Sequence, residues 1–260
     1  MSHSRLSLLV MSSAAVALLT IPALDRAFSE GNSTLFGHPT ATPSPTVTVT
    51  VPPTSTPTPS RPHPTPAHTP VTKSPEGKRK IVYLTLDDGP SPYTTKALEI
   101  LSRHNVPATF FMIGEEAARY PETVAKVRAA GHAIGNHTYT HPWLTHLSTP
   151  EIRKQLQKTD DILGKTTCMR PPGGLINKTV IAQANKLDKS VINWDVDTRD
   201  WQRPGTVNIR STALRLTTPG SIILMHDGGG NRTQSIGALD GIISTLKSRG
   251  YTFATLPQCR

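Results

Sequence analysis

The chain has 260 residues, 24 prolines and a formal net charge of +10. That length allows one domain with a sizeable core, but the composition does not read as one continuous globule. The basic charges are scattered singly and no nucleic-acid-binding motif accompanies them, so nucleic acid is set aside as a partner; with the export signal described next, an anionic cell-envelope polymer is preferred.

The N-terminus opens with His3 and Arg5, followed by an uncharged run from Leu6 to Leu24 that stops at Asp25-Arg26. A basic start and an apolar middle predict an export signal over residues 1–27. The run is also near the lower length of a membrane-spanning helix, so cleaved signal and retained anchor both stay open. Residues 28–77 follow as a stalk. From Pro39 to Pro75 the chain holds 12 Pro and 11 Thr with almost no large apolar residue. Such a segment cannot bury enough surface to offset its ordering entropy and is expected to remain extended and solvated. Either reading of the leader puts the remainder outside the membrane, secreted or at the cell surface.

Residues 78–260 are expected to form the folded domain. Here 24 Lys and Arg face 15 Asp and Glu, a balance of +9. Short apolar, β-branched runs recur at Ile81–Leu86, Ala108–Ile113, around Ala133–Ile134, Cys168–Met169, Val191–Val196, Ser221–Met225 and Thr252–Leu256. Between them lie helical patterns. Tyr120-Pro121-Glu122 opens one that ends before Gly131. Thr149-Pro150-Glu151 opens another, with Ile152, Leu156 and Leu163 on its apolar face and Gly164 as its stop. A third runs from about Thr233 to Arg249. Alternating strand and helix implies a parallel sheet. About seven repeats predict an α/β fold, a distorted and incomplete (β/α) barrel of about seven parallel strands.

Titratable residues collect where these runs end. Asp87 and Asp88 follow the first, His137 and His141 the third, and Arg170 the fourth. Asp197, Asp200 and Trp201 follow the fifth, and His226 with Asp227 the sixth. In a parallel barrel the carboxyl ends share one rim, where such folds place their chemistry. Two histidines and one carboxylate from Asp87-Asp88 make a ligand set with open positions, suited to zinc and also to iron, cobalt or manganese. Pro142 argues for a tight turn rather than a helix through His137-x-x-x-His141. Each element alone has a plain alternative, a polar turn or a pair of solvated histidines. His104, His132 and His146, in loops or helix ends, are read as solvated or structural. Cys168 and Cys259 form an even pair, which in an oxidising compartment predicts a disulfide.

Thr85-Leu-Asp-Asp-Gly-Pro90, His137-Thr-Tyr-Thr-His141-Pro142, Arg170-Pro-Pro-Gly-Gly174, Asp197-Thr-Arg-Asp-Trp201 and Leu224-Met-His-Asp227 occur in that order. Together they resemble the five motifs of the polysaccharide deacetylases of the NodB-homology class, carbohydrate esterase family 4, across about residues 80–257. The resemblance implies a metal held by Asp88, His137 and His141, usually zinc and sometimes cobalt or manganese. It makes Asp87 the general base and His226 the general acid. Arg170 would hold Asp87 ionised and oriented, with Asp200 bracing Arg170. Trp201 and Leu224 would wall a pocket for the acetyl methyl. Two positions depart from the pattern. Leu86 stands where Phe is usual, and Gly173 stands where an aromatic residue often offers its N–H to the oxyanion.

Two rival readings are an iron-dependent oxygenase, which needs no Asp87, Arg170 and His226 on one rim, and a non-catalytic envelope-binding module. The favoured expectation is a monomeric hydrolase that removes acetyl groups from N-acetylglucosamine in peptidoglycan. Chitin-like oligosaccharide and acetylated xylan are the alternatives.

Overall fold

A computed structural model describes residues 80–260; the expected leader and stalk lie outside the described residues. Among the described residues there are eight strands: β1 Lys80–Asp87, β2 Thr109–Met112, β3 Ala133–Asn136, β4 Cys168–Met169, β5 Ser190–Val191, β6 Val196–Asp197, β7 Ile222–His226 and β8 Tyr251–Phe253. Seven helices alternate with them: α1 Pro92–His104, α2 Gly114–Arg119, α3 Pro121–Ala129, α4 Thr149–Leu163, α5 Lys178–Asn185, α6 Thr206–Leu216 and α7 Thr233–Ser248. Every strand pairing is parallel, in the order β5-β4-β3-β2-β1-β7-β6, with β8 against the start of β1. The expected incomplete barrel of parallel strands is the fold observed.

The run Val191–Val196 is two strands rather than one. Its halves, β5 and β6, form the opposite edges of the sheet. Asn193 and Asp195 interrupt the apolar pattern, and each has a specific partner. The Asn193 carbonyl accepts from Arg170, and Asp195 exchanges backbone and side-chain hydrogen bonds with Ile222. Residues 192–195 therefore span the gap between the two edges.

β1 lies at the centre of the sheet, and its side chains alternate between two environments. Val82, Leu84 and Leu86 face outward into a core shared with Ala97 and Leu101 of α1 and Leu239 and Ile242 of α7. Burying each of these aliphatic side chains contributes about 1.5–3 kcal/mol, so the strand that carries the site is firmly anchored. Thr85 and Asp87 face the interior, where Arg170 binds both. A second apolar cluster lies under α4 and α5, with Leu156, Met169, Val180 and Val191.

The starts of α1 and α4 follow from their capping residues. Ser91 caps α1 by accepting from Tyr93 N–H, while Thr94 Oγ1 accepts from Ser91 N–H, and Pro92 supplies the first turn. Ser148, one residue before the expected Thr149, caps α4, with Glu151 returning to its N–H. The expected disulfide joins Cys168 to Cys259 and ties the C-terminal turn beside β4.

Candidate active site

The rim is built outward from the end of β1. Asp87 is in register with Phe111 of β2 on one side and His226 of β7 on the other. Beyond it the chain leaves strand geometry at once, because Asp88 has φ 72°. Across this left-handed turn both carboxylates approach His137 Nε2, Asp88 through Oδ1 at 3.4 Å and Asp87 through Oδ2 at 3.8 Å. Gly228 lies against the turn, and a Cβ there would fall 2.0 Å from the Asp88 carbonyl oxygen, so only glycine fits.

Asp88, His137 and His141 offer ligand atoms that all lie within 4.8 Å of one another. Asp88 Oδ1 stands 3.4 Å from His137 Nε2 and 3.3 Å from His141 Nε2. Oδ1 is buried and accepts no hydrogen bond among the described residues. His137 Nδ1 donates to the Arg170 carbonyl at 2.7 Å, which leaves the Nε2 lone pair facing Asp88. An orphaned carboxylate oxygen opposite two imidazole nitrogens fits a divalent cation better than it fits a finished hydrogen-bond network. Electrostatics agree. Burial opposes ionisation of Asp88, yet His137 and the other histidines hold its carboxyl well below the usual range. Burial likewise opposes a charge on His137, and the pull of Asp87 and Asp88 overcomes it. A site that draws a proton this way draws a cation as well.

His137 and His141 lie on a loop, as Pro142 predicts, and neighbouring polar side chains shape it. Asn136 Oδ1 accepts from Thr138 N–H, and Gln155 Oε1 accepts from the N–H groups of Tyr139 and Thr140. Thr138 and His141 have φ 67° and 58°. Left-handed geometry at non-glycine residues costs about 1–3 kcal/mol each and concentrates at functional sites.

Arg170 is fully buried. Its Nη1 donates to Asp87 Oδ1 and Thr85 Oγ1, both at 2.8 Å. Its Nε and Nη2 donate to the carbonyls of Ile192 and Asn193, and Phe111 covers its face. Asp87 is thus fixed through Oδ1, while Oδ2 looks toward His137 Nε2 at 3.8 Å.

Asp200 is where sequence reasoning needs correction. It braces His226, not Arg170. Its Oδ1 meets His226 Nδ1 at 2.7 Å and its Oδ2 accepts from His226 N–H at 2.8 Å. The reason is register: β6 pairs with β7, so the turn after β6 opens beside His226. Burial opposes protonation of His226, but the Asp200 hydrogen bond and charge raise its pKa to about 9. The imidazole is therefore protonated at neutral pH, with Nε2 left to donate.

Of the residues expected to contact substrate, Gly173 has φ 65° in the turn after β4, and its N–H has no acceptor among the described residues. Trp201 is 41% exposed on the turn after β6, and Leu224 is buried on β7. His104 meets Asp240, His132 accepts from Ala108 N–H and His146 packs edge-on to Trp143, consistent with structural roles.

Arg232 escapes sequence reasoning, and Asp227, seen there at a strand end, is given no role. Arg232 brings Nη2 to 3.8 Å from Asp88 Oδ2, and a cation inside the glycine-rich segment 228–232 was its only visible signal. Asp227 is fully buried beside Asp87 and accepts from Thr94 Oγ1. Burial pushes its carboxyl up to about 7, and the charges of Asp88 and Asp87 add to the rise against the Thr94 hydrogen bond.

A family model described as polysaccharide deacetylase matches residues 74–192. A peptidoglycan-N-acetylglucosamine deacetylase from Bacillus cereus is 42% identical over 183 residues, covering 68% of this chain and 66% of that protein. A chitooligosaccharide deacetylase from Bradyrhizobium is 37% identical over 196 residues, covering 68% of this chain and 89% of that one. Among solved structures, a peptidoglycan N-acetylglucosamine deacetylase superposes with a TM-score of 0.67 at 40% identity, covering 70% of this chain and 88% of its own. A Bacillus anthracis pseudoenzyme of carbohydrate esterase family 4 superposes with a TM-score of 0.65 at 34% identity, covering 70% and 65%. Fold alone therefore does not guarantee turnover, and the side chains must carry that argument. With barrel, ordered motifs and relatives in agreement, the chain belongs to the polysaccharide deacetylases of carbohydrate esterase family 4, hydrolases of carbon–nitrogen bonds.

Proposed function

We propose that this domain removes N-acetyl groups from N-acetylglucosamine residues of peptidoglycan, outside the cell membrane. The observation that carries the reading is one rim holding an open Asp88/His137/His141 set between two braced groups. These are Asp87 on Arg170 and His226 on Asp200. Asp88, His137 and His141 would hold one divalent metal, zinc by the character of two nitrogens and one oxygen, with cobalt or manganese also suited. Such a metal polarises the acetyl carbonyl and lowers the pKa of water from ~16 toward ~7.

The protein groups divide the remaining work. Asp87 Oδ2, free while Arg170 holds Oδ1, takes the proton of the attacking water. The Gly173 N–H donates to the oxygen that becomes negative as the carbonyl carbon turns tetrahedral. His226 Nε2 gives its proton to the sugar nitrogen as the carbon–nitrogen bond breaks, leaving acetate and a free amine. Trp201 and Leu224 wall the acetyl methyl. The intact set argues against a purely binding role for the module.

The leader expected over residues 1–27 and the domain charge of +9 support a position at an anionic wall, where peptidoglycan is the nearest N-acetylated polymer. The similarity to a chitooligosaccharide deacetylase favours one second reading, a soluble oligosaccharide as substrate. Acetate released from peptidoglycan, chitin oligomers and acetylxylan at equal sugar concentration tests both. Peptidoglycan is expected to lead, with a rate that falls as salt is added. A preference for chitin oligomers selects the second reading, and a preference for acetylxylan overturns the amide assignment.

A further inference from the structure

Five large apolar side chains are markedly exposed among the described residues: Trp143, Ile162, Trp201, Val207 and Leu216. Ile162, Val207 and Leu216 sit singly on helices, an ordinary occurrence. The two tryptophans are different, because both stand on the rim. Trp201 adjoins Asp200 on the acid side and already belongs to the proposed acetyl pocket. Trp143, two residues after His141, has no role in that scheme.

Trp143 is 54% exposed, the highest value for any aromatic residue among these five. Its indole touches little. His146 packs edge-on against it with ring centres 5.4 Å apart, and the backbone turns immediately afterwards as His146 N–H donates to the Trp143 carbonyl. The Nε1–H donates to no protein group among the described residues. The ring edge lies beside Gly173: a Cβ built there would be 3.6 Å from Trp143 Nε1. With no side chain on Gly173, nothing at that position screens the indole from a ligand seated at the turn.

We propose that Trp143 is a sugar-binding platform on the metal side of the rim. It would stack against the pyranose ring next to the sugar being deacetylated, with Nε1–H free to donate to a hydroxyl or glycosidic oxygen. The chemistry suits that ligand. Pyranose rings with equatorial substituents present a face of C–H groups, and a half-exposed indole offers a large apolar face with one polar edge. The placement suits it too. The acetyl group must reach Gly173 N–H, and the polymer that carries it then passes the ring beside Gly173. The contact with His146 limits rotation of the indole, so little order is lost when a sugar docks.

This inference rests on the N-acetylglucosamine reading and is tested with it. Steady-state kinetics on the N-acetylglucosamine tetramer would compare the metal-loaded wild type with Trp143→Ala and Trp143→Phe. The Ala variant is expected to raise KM about tenfold with kcat within about twofold, and Phe to recover most of the loss. Circular dichroism of each variant checks the fold. An unchanged KM in Trp143→Ala overturns the platform, as does a fall in kcat without a rise in KM. A wild type that releases acetate from acetylxylan but not from the tetramer overturns the sugar reading and the platform with it. A working wild type with an unmoved KM sinks the platform alone.

Discussion

On the β3 side of Asp87 the rim leaves the Asp88 carboxylate unfinished, and on the β7 side it closes the Asp200–His226 pair. Asp88 Oδ1 is buried without a donor, faces two imidazole nitrogens and sits on left-handed backbone. Asp200 uses both oxygens on one residue, His226. The same residue types thus serve opposite ends. An incomplete set reserves its lone pairs for something from outside, whereas a complete pair reserves a proton. Asp87 links the two halves, in register with His226 and 3.8 Å from His137.

The largest effect should come from breaking the unfinished half. His137→Ala is expected to take bound metal from about one ion per chain to almost none, measured by elemental analysis. Turnover should fall by more than about 10³-fold with the circular dichroism spectrum retained. Near-normal turnover after chelation would remove the basis of the contrast. The closed half should behave differently. His226→Ala is expected to keep its metal and lose about 10²–10⁴-fold in kcat.

Asp200→Asn sharpens the comparison through pH. The Asp200 carboxylate raises the His226 pKa to about 9, so the acid form persists at neutral pH and is lost as pH climbs through that value. Without the carboxylate the alkaline limb of the kcat profile should move down toward the ordinary histidine value of ~6.5, while metal content holds. A limb that does not move would separate His226 from the acid role. The smallest effect on catalysis lies away from the rim. Cys259→Ser opens a disulfide between residues 91 apart and should cost about 2–4 kcal/mol of stability, seen as a lower Tm, with kcat within about twofold.

Much of this was legible in the chain itself. Apolar runs with titratable residues at their ends required a parallel sheet with one functional rim, and Pro142 signalled that His137 and His141 lie on a turn. What stayed hidden depended on register. Nothing in the run Val191–Val196 says that its halves join opposite edges of the sheet. The partner of Asp200 follows from that split, which sets the turn after β6 against His226 rather than against Arg170. Arg232, just before α7, and Gln155, on α4, also reach the site, and no local pattern marks them.

The place of β1 has a consequence for how the molecule matures. Its partners include β2, made soon after it, but also β7 and β8, more than 130 residues later in the chain. Contacts of such long sequence separation form slowly, because a large loop must close before they stabilise anything. Asp87 and Asp88 end the first strand, and His226 ends the seventh. A growing chain therefore holds Asp88, His137 and His141 well before it holds His226. The two halves of the rim first meet when the last strands dock, so the arrangement around Asp87 is incomplete until the barrel is assembled.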